Sequence, residues 1–326
     1  MISEAHKKIN LVQKQIMVLK NSFQTYFQND MKMVRVTAPL FVTKQSGFND
    51  ELDGKQQPVT FHAAQINLDL QIVQSLAKWK RYALQAYEFD LYEGLYTDMN
   101  AIRADDEIDH KHSIYVDQWD WEQRITANDR NQDYLQQTVK QIFDVLKKVE
   151  NDVCKQFNLE KQLPDDLFFI TSQQLEDLYP NLTPDEREYQ IVKKHHAVFI
   201  MQIGYPLKSN VVHSMRSPSY DDWTLNGDLV VYHQINDEAL ELMSMGIRVD
   251  AKTFSKQTNK TLSTPQLSEY EQLILKNQLP YSIGGGIGQS RLCMFFLHKQ
   301  HIGEVQASAW TTDYINLWKK RGVKIL

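Results

Sequence analysis

The sequence predicts an α+β fold in which helices flank a largely antiparallel sheet. Two features of the sequence lead to this prediction. Segments that alternate apolar and polar residues form hairpin pairs, and amphipathic helical segments separate these pairs at irregular intervals. No repeat with a period of roughly 20–50 residues is visible, so a solenoid or propeller is not indicated.

The chain begins with an amphipathic helix. Across about the first 29 residues, apolar side chains recur every three or four positions from Ile9 to Phe27, which builds one apolar stripe. A short strand follows at residues 34–39. Pro39 ends the hydrogen-bond ladder of this strand or places the strand at a sheet edge, because proline has no backbone N–H to donate.

A polar, glycine-containing loop comes next, at residues 43–58. We expect a strand near residues 64–70, where apolar side chains alternate with polar ones. This strand leads into a second helix, with Ser75 or Gln74 near its cap.

Two strand-like segments, residues 94–103 and 112–122, flank a hydrophilic turn and form a long antiparallel hairpin. Side chains alternate between the two faces of a strand. Two tryptophans of the second segment therefore share one face, which we expect to pack in the core. Gln118 and Asp120 share the other face and resemble the floor of a site that binds a polar ligand.

The remaining elements continue the alternation of helices and strands. Between the two strands that precede residue 204, Thr183 begins a helix with Pro184 in the first position and Glu186 completing a capping box. In chain order we expect an amphipathic helix at 135–153, buried strands at 168–170 and 197–203, sheet strands at 228–232 and 240–249, and a closing helix at 288–298.

Composition restricts the class of protein. The net charge of −5 and the pI near 6.1 disfavour stable nucleic-acid binding as the main task. The longest apolar run, residues 292–297, is far shorter than a membrane-spanning helix, and the polar N-terminus does not resemble a signal peptide. The two cysteines, Cys154 and Cys293, exclude a disulfide framework and a thiolate zinc site. We expect a cytoplasmic protein without nucleic-acid or membrane partners.

A glycine-rich run at residues 284–291 stands out. It fits neither the dinucleotide fingerprint nor the phosphate-binding P-loop, because the third glycine of the one and the Gly-Lys-Ser/Thr of the other are missing. Four glycines would allow a ligand to lie against the backbone, and Arg291 could reach a phosphate or stack on a base. A tight strand-to-helix turn remains an alternative explanation.

Acidic residues cluster late in the chain, at Asp221, Asp222, Asp228 and Glu241. Carboxylates on two adjacent strands suit Mg²⁺ that is bridged to phosphate, because this ion keeps waters and needs only one or two protein ligands. Each of these acids could equally be solvated or salt-bridged. The ten histidines form no convincing metal-binding set.

Together these segments resemble a known family. The first helix and strand, Arg103 with its acidic loop, and the glycine-rich run ending at Arg291 resemble the three motifs of class II aminoacyl-tRNA synthetase catalytic domains. The similarity is closer still to the ammonia-dependent asparagine synthetases, also called aspartate–ammonia ligases. The segments that carry it are SLAKWKR (75–81), EGLYTDM (93–99), YVDQWDWE (115–122), YDDW (220–223), LNGD (225–228), SMGIRVDA (244–251), IGGGIGQSRL (283–292) and HIGEVQA (301–307).

The resemblance implies a single class II synthetase-like catalytic domain over residues 1–326. It implies an ATP-dependent ligase that uses Mg²⁺ and makes asparagine from L-aspartate and ammonia through a β-aspartyl-adenylate, with release of AMP and pyrophosphate. It further implies a homodimer formed through the first helix and the strand that ends at Pro39.

The resemblance also assigns residues to aspartate. Ser75 and Lys80 would hold its carboxylate end, Asp120 and Asp221 its ammonium group, and Gln118 its reacting side chain. The residue types agree with this assignment, because aspartate carries two carboxylates and one ammonium group.

A second set is assigned to ATP. By similarity, Arg103 and Arg291 would bind the phosphates, and Arg291 would also contact the substrate. The other nucleotide-binding residues that the resemblance implies are Asp228 and Glu241, which would also hold Mg²⁺, together with Ser244 and Arg248.

Ammonia arrives mostly as NH₄⁺ and must lose a proton before it attacks, so a carboxylate beside the acyl carbon is required. By similarity, Asp50 in the loop SGFNDELDG is that residue. Neither cysteine is N-terminal or beside a histidine, which agrees with free ammonia rather than glutamine as the donor.

Two other functions are compatible with the motifs. The first is an aspartyl-tRNA synthetase-like paralogue that passes its adenylate to tRNA. Against it, we expect the first helix to leave no room for an N-terminal anticodon-binding barrel, and the chain is acidic. The second is a non-catalytic regulatory paralogue, which the retention of the motif arginines and acids opposes.

Overall fold

The computed structural model describes residues 4–52, 54 and 56–326. The strands are β1 (Met33–Arg35), β2 (Phe41–Thr43), β3 (Thr60–Ala63), β4 (Leu68–Ile72), β5 (Gly94–Ile102), β6 (Tyr115–Arg124), β7 (Phe168–Thr171), β8 (Ala197–Met201), β9 (Asp221–His233), β10 (Glu238–Arg248) and β11 (Ser282–Gly288). The helices are α1 (Glu4–Met31), α2 (Ala77–Ala86), α3 (Gln132–Phe157), α4 (Ser172–Leu178), α5 (Pro184–His195), α6 (Ala251–Thr258), α7 (Glu269–Leu275), α8 (Gln289–Phe296) and α9 (Thr312–Lys320).

The main sheet has eight strands in the order β1-β5-β6-β11-β10-β9-β8-β7. Only its two outermost pairs, β1 with β5 and β7 with β8, are parallel. The five inner pairs are antiparallel. The predicted α+β fold around a largely antiparallel sheet is therefore confirmed, as are the long β5–β6 hairpin and the edge position of β1. Strand β1 ends at Arg35, so the strand expected over residues 34–39 is shorter than predicted and Pro39 does not end its ladder.

A second, three-stranded sheet, β2-β4-β3, corrects one prediction. The single strand expected near residues 64–70 is wrong: residues 64–67 form a turn, and strands β3 and β4 pair on either side of it. Asn67 adopts a left-handed backbone conformation with φ of 51°, which asparagine tolerates in tight turns. The apolar alternation runs through this turn, so it hides the point where the chain reverses.

The two faces of β6 divide the molecule into a core side and a site side. Trp119 and Trp121 are fully buried against helix α1. The Trp119 ring stacks on Phe23 at a centroid distance of 3.9 Å, and Trp121 meets Phe27 edge to face at 6.1 Å. Helices α3 and α8 complete this apolar layer. Gln118 and Asp120 point to the opposite face, as the period of two predicts.

The helix boundaries follow from local capping. Thr183 and Glu186 form the predicted capping box of α5, with the Thr183 N–H donating to the Glu186 carboxylate at 2.8 Å. Helix α2 begins at Ala77 after Leu76, which makes no side-chain capping bond. Ser75, one of the two residues expected near the cap, lies one position earlier and accepts a hydrogen bond from the Ala77 N–H at 3.0 Å. Cys154 and Cys293 are free and buried. Within the described residues, none of the helices combines the length and the apolar composition that a membrane-spanning helix requires.

Candidate active site

Two adjoining cavities open on the face of the sheet opposite α1 and α3. The first, which we call the Lys80 cavity, has a volume of about 260 Å³. The second, the Arg291 cavity, has a volume of about 470 Å³. Arg103, Gln118, Glu241 and Gly286 line both cavities, so the two form one continuous site.

The glycine-rich run explains why this face is open. Residues 284–288 belong to strand β11, between β6 and β10, and α8 starts only at Gln289. Most of the run is therefore strand, and within it the strand passes directly into the helix. A Cβ at Gly284 would collide with the Glu122 carboxylate, and one at Gly286 would collide with the Gln118 amide. The bare strand thus makes room for the polar side chains of β6.

Lys80 and Asp120 form a buried ion pair at the floor of the Lys80 cavity. Lys80 is 1% exposed, and its ammonium group also donates to the Gly285 carbonyl at 2.8 Å. The Leu76 N–H donates to the other oxygen of the Asp120 carboxylate at 3.2 Å. Burial lowers the pKa of Lys80, although the Asp120 carboxylate favours the charged form.

Arg248 lies beside this pair and is held by two carboxylates. Its guanidinium donates to Glu122 at 2.8–3.1 Å and to Asp221. Glu122 and Arg248 are almost completely buried, so each needs the other to compensate its charge. Three of the five N–H groups of Arg248 therefore face carboxylates, so its charge is compensated before any ligand binds.

Arg216 was not predicted from the sequence, yet it forms one wall of the Lys80 cavity. Its guanidinium donates to Asp228 at 2.7 Å and to the Ser244 hydroxyl, and it lies 3.6 Å from Asp221. Burial opposes the charge of Arg216, but Asp228 and Asp221 raise its pKa. Burial and the Glu241 carboxylate raise the pKa of Asp228 to about 6, against the effect of Arg216.

Asp50 reaches the cavity from the loop before β3 and is buried there. One oxygen of its carboxylate accepts from the Leu52 N–H at 3.1 Å, and the other accepts from the Tyr220 hydroxyl at 2.8 Å. Its own N–H donates to the Asn49 side-chain carbonyl at 3.0 Å. A loop residue is thus held with its carboxylate facing polar neighbours.

Arg103 and Gln118 lie where the two cavities meet. Within the described part of the chain, the Arg103 guanidinium has no carboxylate partner, and its Nε donates only to the Gln74 carbonyl at 3.3 Å. The Gln118 side-chain amide makes no hydrogen bond to any other described residue. Both groups therefore retain donors for a ligand.

Arg291 lies in the first turn of α8 and borders the Arg291 cavity. Its guanidinium donates to the Glu241 carbonyl at 3.0 Å and to His112 Nε2 at 2.7 Å. His112 is a second residue that the sequence did not single out for this site. The contact ties α8 to the loop that joins β5 and β6.

The structure gathers the residues predicted for the site in one place. Eleven of the twelve line the Lys80 cavity: Asp50, Ser75, Lys80, Arg103, Gln118, Asp120, Asp221, Asp228, Glu241, Ser244 and Arg248. The twelfth, Arg291, lines the adjoining cavity. Asp222, which the acidic cluster also contained, instead accepts a hydrogen bond from Arg130 at 3.0 Å.

Two residues of the site had weak signals in the sequence. Arg216 lies in an irregular segment without periodicity, so its direction could not be read. Tyr220 belongs to the quoted YDDW segment, but a tyrosine beside two acids is not specific for any role.

A family model described as aspartate–ammonia ligase matches residues 10–322. An aspartate–ammonia ligase from Ureaplasma urealyticum is 58% identical over 98% of each chain. An aspartate–ammonia ligase from Clostridium perfringens is 52% identical over 94% of this chain and 93% of that protein.

Solved structures show where the fold recurs. The asparaginyl-tRNA synthetase of Pyrococcus horikoshii in complex with asparaginyl-adenylate superposes with a TM-score of 0.67 and 14% identity, over 92% of this chain and 68% of that one. The asparaginyl-tRNA synthetase of Entamoeba histolytica gives a TM-score of 0.64 and 12% identity, over 92% and 67% of the two chains. The likeness lies in the fold, which confirms the predicted class II synthetase-like architecture.

Proposed function

The chain belongs to the aspartate–ammonia ligase family, and on that premise we propose how its two cavities make asparagine. The enzyme joins ammonia to the side-chain carboxyl group of aspartate. In the proposed route, ATP first converts that carboxyl group to a β-aspartyl-adenylate with release of pyrophosphate, and ammonia then displaces AMP. The match over residues 10–322 supports one catalytic domain for both steps.

We assign aspartate to the Lys80 cavity. The buried Lys80–Asp120 pair presents a cation and an anion side by side, and aspartate has a carboxylate and an ammonium group on one carbon. The carboxylate would lie against Lys80 and Ser75, and the ammonium group against Asp120 and Asp221. Each charge of the substrate then meets an opposite charge already held in a buried, preorganised position.

Activation of the carboxyl group takes place where the cavities meet. Gln118 would orient the side-chain carboxylate of aspartate, and Arg103 would bind the α-phosphate that it attacks. As the bond to pyrophosphate breaks, charge redistributes over the phosphoryl oxygens, and a guanidinium without a competing carboxylate stabilises it. Arg291 would hold the rest of the nucleotide in its cavity, with Arg216 and Ser244 near the phosphates.

The residues present fit a magnesium ion that arrives with ATP. Asp228 and Glu241 lie on neighbouring strands and supply only carboxylate oxygens. Among the residues whose positions are described, no group of three or more His, Cys, Asp or Glu side chains could hold a metal alone. Mg²⁺ commonly needs only one or two carboxylates in addition to phosphates and waters. Bound there, it would neutralise phosphate charge during adenylation.

Ammonia attack is assigned to Asp50. Its carboxylate lies in the Lys80 cavity, where Gln118 and Asp221 also lie. It would attract NH₄⁺ and remove one proton, which leaves a lone pair for attack on the acyl carbon. That first proton would stay on Asp50. The attacking nitrogen would lose a second proton, to the phosphate of the departing AMP or to water, as the bond between the acyl carbon and AMP breaks.

The observation that supports this proposal best is the convergence of the predicted residues on one continuous site. Its test is an incubation of the protein with ATP, Mg²⁺, aspartate and ammonium without tRNA, with asparagine and AMP measured together. Equal amounts of both products are expected, and omission of ammonium should stop both. AMP without asparagine would contradict the proposal. We place this reaction in the cytoplasm, where ATP and aspartate are available.

Asp228→Asn should raise the Mg²⁺ concentration for half-maximal aspartate-dependent ATP–pyrophosphate exchange, on the order of tenfold or about 1.4 kcal/mol. The amide keeps the shape but loses the charge that binds the ion. Because the pKa of Asp228 is raised to about 6, the wild-type requirement for Mg²⁺ should also grow as the pH falls through this value. Asp237→Asn, on the exposed turn between β9 and β10, is the matched control. An unchanged Mg²⁺ requirement would remove Asp228 from the metal site.

We also propose that the chain forms a homodimer through α1 and β1. Strand β1 is an edge strand, and Val34 on it is 53% exposed. Leu11 and Met17 of α1 are also exposed, although Leu19, Phe23 and Phe27 of the same helix are fully buried. Interfaces of obligate dimers bury more than about 2,000 Å², which keeps the two subunits associated. Sedimentation at micromolar concentration should therefore show a dimer. Val34→Glu should shift the monomer–dimer equilibrium toward monomer. A monomeric wild type would contradict the proposal.

A further inference from the structure

We propose that Tyr220 is a positioning residue for the ammonia step, because its hydroxyl holds the Asp50 carboxylate in the orientation that receives NH₄⁺. The inference rests on the role proposed for Asp50. Tyr220 immediately precedes β9, and it is 170 residues away from Asp50 in the sequence. The contact therefore joins two separate parts of the fold at one carboxylate.

The geometry divides the carboxylate between two donors. The Leu52 N–H donates to Oδ1 of Asp50 at 3.1 Å, and the Tyr220 hydroxyl donates to Oδ2 at 2.8 Å. A carboxylate oxygen can accept more than one hydrogen bond. With one donor on each oxygen, both oxygens can still accept a hydrogen bond from an ammonium ion.

Both partners of the Tyr220 contact are themselves fixed. The Tyr220 carbonyl accepts from the Val249 N–H at 2.9 Å, and the Arg248 guanidinium lies over the Tyr220 ring at 5.4 Å. On the other side, the Asn49 amide donates to the Ile72 carbonyl at 3.1 Å and anchors the Asp50 loop to the end of β4. The Tyr220 hydroxyl therefore connects the cavity wall that contains Arg248 to the Asp50 loop that Asn49 anchors.

Tyr220 is a donor here and not a second base. Burial, with the carboxylates of Asp50 and Asp221, raises its pKa well above the ordinary value of 10.0. The phenol therefore keeps its proton under all conditions in which the enzyme would work. Without the hydroxyl, Oδ2 of Asp50 loses its donor, and the carboxylate could turn toward cations of the same cavity such as Arg216.

The test is Tyr220→Phe, which removes only the hydroxyl. The KM for ammonium in asparagine formation should rise about ten- to hundredfold, the ratio expected when a hydrogen bond to a charged group is lost. Aspartate-dependent ATP–pyrophosphate exchange should fall by a much smaller factor. Tyr82→Phe is the matched control, since the Tyr82 ring packs against Phe48 near the same loop at a centroid distance of 4.8 Å, and the Asp50 carboxylate accepts from Leu52 and Tyr220 instead. Melting temperatures of both variants report on folding.

A double variant shows whether Tyr220 affects asparagine formation through Asp50 or independently of it. In the Asp50→Asn background, Tyr220→Phe should cause little further loss of asparagine formation, because the group that it positions is already gone. Independent, multiplicative losses would overturn the inference. So would an unchanged ammonium KM in Tyr220→Phe, or equal losses in exchange and asparagine formation. If Asp50→Asn itself reduces both activities equally, the proposed role of Asp50 fails and this inference fails with it. A selective Asp50→Asn with a wild-type-like Tyr220→Phe overturns this inference alone.

Discussion

Arg103→Ala is expected to abolish formation of the adenylate itself. Arg103 lies where the two cavities meet, and among the residues described its guanidinium has no carboxylate partner. It can therefore donate hydrogen bonds to the phosphoryl oxygens as negative charge redistributes over them in the transition state. The loss of such a donor costs roughly 2.7–4 kcal/mol, or about 10²–10³ in rate.

The measurement for Arg103 is aspartate-dependent ATP–pyrophosphate exchange without ammonia, so that only the first half-reaction contributes. Arg124→Ala is a matched control. Arg124 ends the second strand of the same hairpin, and its guanidinium donates to the Phe89 carbonyl at 2.9 Å, outside both cavities. Exchange at a near wild-type rate in Arg103→Ala would remove Arg103 from the site.

Strand periodicity predicts which side chains of the sheet face the candidate site. The alternation in β6 predicts that Trp119 and Trp121 face the core while Gln118 and Asp120 face a ligand, and the structure agrees. A strand that carries two large aromatic side chains on one face has only one way to bury them, so the direction of every polar neighbour is fixed as well.

Contacts between distant segments could not be predicted from the sequence. Periodicity indicates on which face Glu122 lies, but not that it pairs with Arg248, 126 positions away. Arg216 comes from a segment without regular structure, where no pattern gives the direction of a side chain. The partners of buried charges depend on how strands from different parts of the chain align, and single-strand patterns do not contain that information.

The Lys80–Asp120 pair shows a related limit. The resemblance assigns the two residues to opposite charges of one substrate, and the structure pairs them with each other. The two results are compatible, because a buried charge needs a partner before the substrate arrives. Aspartate can then extend the pair into an alternating arrangement of charges instead of meeting two isolated ions.

Asp50→Asn should separate the two half-reactions. The amide keeps the shape of the side chain, and its carbonyl can still accept from the Leu52 N–H, so the loop contact is preserved. It can neither attract NH₄⁺ nor take its proton. Asparagine formation should therefore fall by about 10²-fold or more, the usual contribution of a positioned base. Aspartate-dependent pyrophosphate exchange should survive.

A structural role for Asp50 gives a different result. The bond from Leu52 could mean that Asp50 only caps a turn in its loop. In that case exchange and asparagine formation should fall together, or neither should change. Both activities are measured on one preparation, with Glu51→Gln as the matched control, since Glu51 is the exposed acid next in the chain. Equal losses in both activities would count against a role confined to ammonia, because removal of a base that acts only on NH₄⁺ leaves the earlier adenylation step intact.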